Sequence, residues 1–432
     1  RRLARELAGL DGQSVRIGGH LEEYRALGGV AFALVRDGSG TTQVTLKKGT
    51  SDPALFELLK ELPRESVVEV EGAVRKSEKA NRGVELLPTA VQVVSRAEVP
   101  LPLGIVDKVG ADLDTRLNHR VLDLRKPAVK AVFEVRAALL EGMRRAFRER
   151  GFLEVETPKL LRQGAEGGAT LFGVEYFDQR AYLAQSPQLY KQMLMGAGFE
   201  KVFEIAPAFR AEPSDTIRHI TEFSSVDAEM SFVHSAAEIM QALEGVVVDS
   251  IHHARAALKA SGSAAGDDLS HPKHPFLRIS FDDAEKLLGR AGAHRDFSTE
   301  DEKQLGELVA KEHGAELYFI TDFPSAVKSQ TFYAQRRDDD PRYTGYFDLA
   351  RRGLELASGG PREHRVDRLL ANMKAAGLDP AGFAGYLEAF RFGMPPHGGW
   401  GFGLDRFVWS LSNVANIREA RLFPRDRYRL DP

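Results

Sequence analysis

The stretch Lys201–Phe232, KVFEIAPAFRAEPSDTIRHITEFSSVDAEMSF, holds the chain's densest set of chemically able side chains. A period of two puts Glu204, Arg210 and Glu212 on one face of a first strand. The same period gathers His219, Phe223, Asp227 and Glu229 on one face of a second strand, with Ile220, Val226, Met230 and Phe232 on the other. Pro213–Arg218 then connects an antiparallel hairpin. A solvated sheet face also carries charges. This mixture of acids, bases and one aromatic ring suits a floor that binds an anionic ligand with a stacking base.

Three further stretches add candidates. In Tyr343–Arg365, a two-residue turn at Arg351-Arg352 sets Asp348 opposite Glu355, whereas a bulge at Gly353 changes that pairing. Facing carboxylates repel, so they imply a cation between them; with Ser358 nearby, an all-oxygen set suits Mg²⁺. Arg362, beyond Gly359-Gly360, is within reach of the same pocket, and two exposed, unpaired carboxylates are the alternative. In Pro395–Leu411, four glycines (Gly398, Gly399, Gly401 and Gly403) permit close backbone approach before a helix containing Leu404, Phe407, Val408 and Leu411. Arg406 in the first turn of that helix opposes the dipole preference by about 0.3–1 kcal/mol, which points to phosphate binding. In Gln185–Gln192, Ser186 as cap and Pro187 at the first position start a helix with Gln188 and Lys191 on one face. Taken alone, Lys191 reads as a solvated lysine.

Other chemistries are excluded. Cysteine is absent, which removes disulfides, thiolate metal sites and a thiol nucleophile. There is no GxxxxGK[ST] loop, no dinucleotide fingerprint and no HExxH; His271 and His274 sit between prolines.

These residues need elements to position them, and 432 residues suggest two or three domains. Apolar or alternating stretches near 15–21, 30–36, 43–46, 67–74 and 84–94, with a helix at 53–60 capped by Asp52, have the order β-β-β-α-β-β. That is the pattern of a five-stranded OB-fold barrel, which either takes up single-stranded nucleic acid or serves as scaffold. We expect this barrel over 1–97, a proline-containing linker over 98–125 and a second domain over 126–432. The second domain opens on a long helix between Pro127 and Gly151 and carries a small surface insertion at about 235–275. The fold class is α+β. Residues 1–97 hold 15 Lys and Arg against 13 Asp and Glu, so the barrel is mildly basic although the whole chain carries −3. No apolar run reaches membrane-span length and no apolar leader is evident, so a cytoplasmic protein without membrane contact is expected.

Together the hairpin with FRAE, the glycine-rich strand with GLDR, and the helix and strand through Gly151–Pro158 resemble the three signature motifs of class II aminoacyl-tRNA synthetases. AQSPQLYKQ, RHITEFSSVDAEM, GLELASGGPREHR, FGMPPHGGWGFGLDR and the terminal FPRD narrow the resemblance to the compact, archaeal-type aspartyl family. The resemblance implies an antiparallel catalytic sheet flanked by helices, ATP and L-aspartate as substrates, Mg²⁺, tRNA as partner and a homodimer. It implies that Arg210 contacts the α-phosphate, that Glu212 and His219 position the rest of the nucleotide, and that Phe223 and Arg406 enclose the adenine, with Arg406 also on the γ-phosphate. Asp348, Glu355 and Ser358 would hold Mg²⁺ on the phosphates. Gln188 and Asp227 match positions that meet the substrate α-amino group, and Lys191 and Arg362 those that bind its side-chain carboxylate. Ser358 also borders the aspartate. Glu166 opens a loop, Glu166-Gly-Gly168, that closes over the amino acid, and Pro158 marks the dimer interface.

One departure bears on the tRNA. Where the family often carries Gly-Trp in the first barrel strand, this chain has Gly19-His20. His20, with Pro88 in the last strand, resembles enzymes that charge both tRNA-Asp and tRNA-Asn. A purely structural His20, and hence an enzyme restricted to tRNA-Asp, is the alternative. An asparaginyl enzyme is the more distant rival, since it usually has an apolar residue where Lys191 stands.

Overall fold

The structure is a computed structural model that describes residues 1–106, 110–162, 171–213, 215–267, 269 and 271–431. Side-chain alternation in the first hundred residues builds five strands: β1 (Ser14–Leu27), β2 (Val30–Asp37), β3 (Gly40–Lys47), β4 (Val67–Lys76) and β5 (Val84–Ser95). They close into a barrel in the order β1-β2-β3-β5-β4, as the sequence pattern predicts. Ile17, Leu21, Ala33, Val44, Leu46 and Val70 point inward and fill it. Helix α1 (Pro53–Glu61) starts where Asp52 accepts the Ala54 N–H at 2.9 Å, and packs Leu55 and Leu59 on the barrel core.

The chain divides into two compact units, Arg1–Asp112 and Leu113–Pro432. This shortens the linker expected over 98–125. Leu113–Asn118 and Arg120–Asp123 are short helices anchored inside the second unit. Arg120, 1% exposed, donates to the carbonyls of Glu419, Arg421 and Leu422 and pairs with Asp123 at 2.7 Å. Its buried guanidinium satisfies its donors only in that place, which pins the segment.

The second unit is built on an eight-stranded sheet. In chain order its strands are β6 (Leu153–Glu154), β7 (Lys201–Phe209), β8 (Glu222–Ser231), β9 (Leu277–Ser280), β10 (Leu317–Thr321), β11 (Phe347–Arg351), β12 (Leu354–Arg362) and β13 (His397–Gly403). The spatial order is β9-β10-β11-β12-β13-β8-β7-β6. The six central strands are antiparallel, while β6 and β9 join parallel at the edges, so the sheet is mixed.

Two long helices cover one face, α2 (Pro127–Glu149) and α4 (Ala236–Ala260). Leu139, Met143 and Phe147 of α2 and Ile239, Leu243 and Val247 of α4 meet Phe203, Val226, Trp400 and Phe402 of the sheet. The segment expected as a surface insertion at about 235–275 is therefore, for most of its length, a core helix. The small polar run after residue 260 obscured ten buried positions within it. Helices α3 (Gln188–Gly196), α5 (Phe281–Leu287), α6 (Thr299–His313) and α7 (Leu404–Leu411) complete the set used below.

The α2–α4 crossing depends on Gly142. A Cβ there meets the Ser250 backbone at 2.9 Å, so the helices approach as closely as a side chain of zero size allows. Gly142→Val is expected to lower stability by about 1–3 kcal/mol by overpacking a rigid contact, measured by urea unfolding. An unchanged midpoint would contradict the role of this crossing.

Candidate active site

The open face of the sheet carries the candidate residues in one cross-strand row. Asp348 of β11 faces Ser358 of β12, Ser358 faces Gly401 of β13, Gly401 faces Asp227 of β8, and Asp227 faces Glu204 of β7. The next rows bring Gly360, Gly399 and Glu229 together, then Arg362 and His397. The glycines of β13 make this floor possible. A Cβ on Gly399 would lie 2.3 Å from Glu229 Oε2, and one on Gly401 would lie 3.2 Å from Asp227 Oδ1. The hairpin expected from alternation is present with β7 and β8 antiparallel, but His219 lies in the connecting segment, outside the strand.

At one end of the floor, two cations meet two carboxylates below the surface. Lys191 from α3 sends Nζ to Asp227 Oδ1 at 3.0 Å and to the Trp400 carbonyl at 2.8 Å, with Glu229 Oε2 at 3.4 Å. Arg362 donates Nε to Glu229 Oε1 at 2.9 Å and Nη1 to Tyr346 Oη at 2.9 Å, between the rings of Tyr333 and Tyr346. Glu229 is fully buried. Burial alone would raise its pKa, but Arg362 and Lys191 outweigh that and hold it below the ordinary carboxylate value. Reciprocally, Glu229 and Tyr346 overcome burial and raise the Arg362 pKa. The family resemblance implies that Lys191 and Arg362 bind a substrate side-chain carboxylate, and the sequence shows no internal partner for either. Each already has an internal partner, so the pocket is close to electroneutral, and its preference must come from the direction of its N–H donors.

Gln188 stands beside this group. Its Nε2 donates to Gln192 Oε1 at 3.0 Å, and Tyr386 Oη donates to the same oxygen at 3.2 Å. The Gln192 amide in turn lies 2.9 Å from His397 Nε2, and His397 Nδ1 lies 2.9 Å from the Pro395 carbonyl. A carbonyl only accepts, so Nδ1 carries the proton and Nε2 accepts from Gln192. Burial pushes the His397 pKa down to about 4 despite the nearby Glu229 carboxylate. This histidine is neutral.

At the other end, Arg210 follows β7 and stacks over the Phe223 ring at 5.3 Å, with Glu212 4.0 Å from its guanidinium. His219 Nε2 lies 3.5 Å from Glu212 and its Nδ1 2.7 Å from Thr216 Oγ1. Burial lowers its pKa, Glu212 opposes, and Arg406 adds to the fall. Arg406 on α7 donates to the Glu355 carbonyl at 3.1 Å and sits 3.6 Å from its carboxylate. An aromatic face, three arginines (Arg210, Arg218 and Arg406) and a neutral histidine are thus gathered at one end of the floor.

The acidic row differs from its expected geometry. The turn is Arg352-Gly353, both at positive φ (49° and 79°), with a bulge at Leu349/Ala350, so Glu355 faces Ala350 and Asp348 faces Ser358. The turn has moved one residue on from Arg351-Arg352, and the bulge lies at Leu349/Ala350 and not at Gly353, so the pairing differs from both readings of the sequence. Lys328 Nζ approaches Asp348 Oδ2 at 3.3 Å. Burial would favour a neutral lysine, but Asp348 and Glu355 outweigh it and raise its pKa. For Asp348, burial raises the pKa, Lys328 counters and Glu355 adds to the rise, leaving it at about 6. Asp348 Oδ1 is buried with no hydrogen-bond partner among the described residues. A buried carboxylate oxygen left open, beside Ser358 and near Glu355, fits a hard divalent cation such as Mg²⁺.

The remaining candidates are dispersed. Glu166 lies outside the described residues. Pro158 is exposed after Thr157, whose N–H and hydroxyl both reach Glu204 at 2.8 Å. On the barrel, His20 faces Val67 and Pro88 faces Gly72 of the same neighbouring strand, β4. At about 3.3 Å per residue their partners on β4 stand on the order of 17 Å apart.

Several contributors went unread in the sequence. Asp405, buried in the first turn of α7, accepts from Ser224 N at 2.6 Å and Arg136 Nη1 at 2.6 Å, and so ties α7 to β8 and α2. Glu302 of α6 receives Arg218 Nη1 at 2.6 Å; burial and Glu355 push its pKa up to about 7. Gln192 and Tyr386 carry no local signal in the sequence that marks them as part of the site. An acid beside Arg406 in GLDR was the one visible signal, and long-range pairing hid the others.

Comparison with known proteins gives a concordant pattern. A family profile described as tRNA synthetases class II (D, K and N) matches residues 112–427, and one described as an OB-fold nucleic acid binding domain matches 15–94. The chain is 45% identical to the aspartate–tRNA(Asp) ligase of Thermococcus kodakarensis, over 98% of this chain and 97% of that one. It is 46% identical to the aspartate–tRNA(Asp/Asn) ligase of Methanopyrus kandleri, again over 98% and 97%. Among solved structures, asparaginyl-tRNA synthetase from Pyrococcus horikoshii with asparaginyl-adenylate superposes with a TM-score of 0.91 at 32% identity, covering 100% and 99% of the two chains.

The neutral His397 sets a pH signature. Unfolded, the ring takes a proton near its ordinary value of 6.5; folded, it does so only near 4. Between those values the unfolded state binds more protons, so stability falls as pH drops, by on the order of 2 kcal/mol at pH 5 from this residue. His397→Asn should flatten that part of the pH profile in urea unfolding. The same slope in variant and wild type would overturn the assignment.

Proposed function

Because this chain belongs to the class II tRNA synthetases, within the aspartate–tRNA ligases, we propose that it joins L-aspartate to tRNA through an aspartyl-adenylate, with ATP as co-substrate, and that it charges both tRNA-Asp and tRNA-Asn. The observation that carries the amino-acid assignment is the buried Lys191–Glu229–Arg362 group. Its two cations have fixed donors, and a substrate carboxylate accepts from them where an amide would turn an N–H toward a donor. Gln188 and Asp227 then receive the α-amino group.

The substrate α-carboxylate is ionised at neutral pH, so its attack on the α-phosphorus needs no general base. Arg210 neutralises the phosphate charge that develops, and positioning over the floor supplies the rest. Phe223 and Arg406 enclose the adenine, while Glu212 and His219 orient the nucleotide. Asp348, Glu355 and Ser358 are the residues that would hold Mg²⁺, which adds charge neutralisation on the phosphates when bound. Pyrophosphate leaves, and a terminal ribose hydroxyl of the tRNA then displaces AMP from the aspartyl carbonyl.

The barrel is the anticodon-binding unit in this reading, and His20 is the residue that supports acceptance of both anticodons. Relatives named for either specificity lie at 43–46% identity, so they do not choose between the two. A homodimer with Pro158 at its interface and a cytoplasmic setting belong to the same proposal. Among the described residues no helix is long and apolar enough to cross a membrane.

Lys191→Leu leaves Asp227 and Glu229 short of one buried partner, a loss of about 3–5 kcal/mol. Aspartate-dependent pyrophosphate exchange should fall roughly 10²–10⁴-fold, with ATP binding nearly unchanged; wild-type exchange would refute the role. Charging of separate tRNA-Asp and tRNA-Asn transcripts tests the dual specificity. Aspartylation of both is expected, and inactivity on the second would restrict the enzyme to tRNA-Asp.

A further inference from the structure

Outside the nucleotide floor, α5 and the loop that follows it bring three metal-ligating side chains together. Asp282 and Glu285 lie three residues apart on one face of α5, and His294 arrives from the loop before α6. Their nearest ligand atoms all fall within 4.8 Å of one another, and His294 Nε2 is 3.4 Å from Asp282 Oδ1. Two ligands on one tetrahedral zinc, with bonds of about 2.0–2.1 Å, stand about 3.3 Å apart.

The cluster is more than surface acidity. Glu285 is fully buried, and its Oε1 has no hydrogen-bond partner among the described residues. Arg290 comes no nearer to that oxygen than 3.7 Å, because it donates instead to Asp301 at 3.0 Å and to the Arg295 carbonyl at 3.0 Å. Asp282 Oδ1 is likewise buried and without a hydrogen bond. Glu285 thus keeps one long ion pair with Arg290, yet neither of these carboxylate oxygens accepts a hydrogen bond, and a cation bound between them would satisfy both. The other oxygen of each acid is held: Tyr343 Oη donates to Asp282 Oδ2 at 2.8 Å, and the His294 N–H donates to Glu285 Oε2 at 3.2 Å. Such outer contacts orient ligands toward a metal.

We propose that Asp282, Glu285 and His294 form a site for a borderline divalent cation of the zinc type, separate from the nucleotide floor. One imidazole and two carboxylates select such a cation over Mg²⁺, and the half-exposed His294 leaves a coordination position open to water. The ion clamps the loop after α5 onto that helix. Through Asp282 it also fixes Tyr343, which pairs with Pro324 at the base of the segment carrying Lys328.

The test uses the full chain stripped with chelator and desalted, then titrated with Co²⁺ alone and afterwards with Zn²⁺. One Co²⁺ per chain with visible bands of imidazole–carboxylate ligation, bleached by stoichiometric Zn²⁺, is the expected result, together with a rise in the melting temperature. His294→Gln, at an exposed position where folding is not at risk, should weaken Zn²⁺ binding at least tenfold and abolish both the bands and the thermal shift. Asp348→Asn should leave all three unchanged. The proposal is overturned if wild type takes up no Co²⁺, if His294→Gln binds like wild type, or if Asp348→Asn removes the bands.

Discussion

The second unit depends on placing one fully buried carboxylate, Glu229, between Lys191 and Arg362. Taking three charges out of water is costly, and removing any one leaves an uncompensated charge worth several kcal/mol. The three residues come from β8, α3 and β12, so the interaction fixes a helix against two strands that are not neighbours in the sheet. The strand between them, β13, must then offer no side chain on that face. Gly399 and Gly401 answer this need, and any Cβ at Gly399 would strike Glu229. The glycines and the ion group are therefore one constraint.

The rest of the site is arranged around that anchor by similar economies. Asp405 gathers the Ser224 amide and Arg136, so α7 starts where Arg406 can face Glu355. Glu204, which alternation placed with the charged floor, serves instead to hold Thr157 and Lys159. His397 remains neutral because burial outweighs its acidic neighbour, which keeps the Gln192–Gln188 chain in a single hydrogen-bond direction. The nucleotide end is richer in exposed charge, and its side chains have more room to rearrange around a ligand.

Much of this was legible from residue types. The five barrel strands, the helix capped by Asp52, the β7–β8 hairpin and the α2 helix follow from periods of two and 3.6 and from their capping residues. The long-range ion pairs were not. Lys191 has the local signature of a solvated helix lysine, and only the arrival of β8 beneath α3 buries it. Similarly, α4 was masked by the polar run that follows it, because local composition cannot say which side of a helix meets a sheet.

By itself, then, the sequence determined the two-unit α+β organisation, the barrel strands, the β7–β8 hairpin, the α2 helix and the family, because those depend on local periodicity and on short motifs. The tertiary structure decided which charges neutralise one another. It paired Asp348 with Ser358 and Lys328, where the sequence had offered Glu355, since the turn falls at Arg352-Gly353 and a separate bulge at Leu349/Ala350 shifts the register again. It also turned two apparently free cations into an electroneutral pocket. Charge pairing depends on distances between segments far apart in the chain, and only the folded sheet sets those distances.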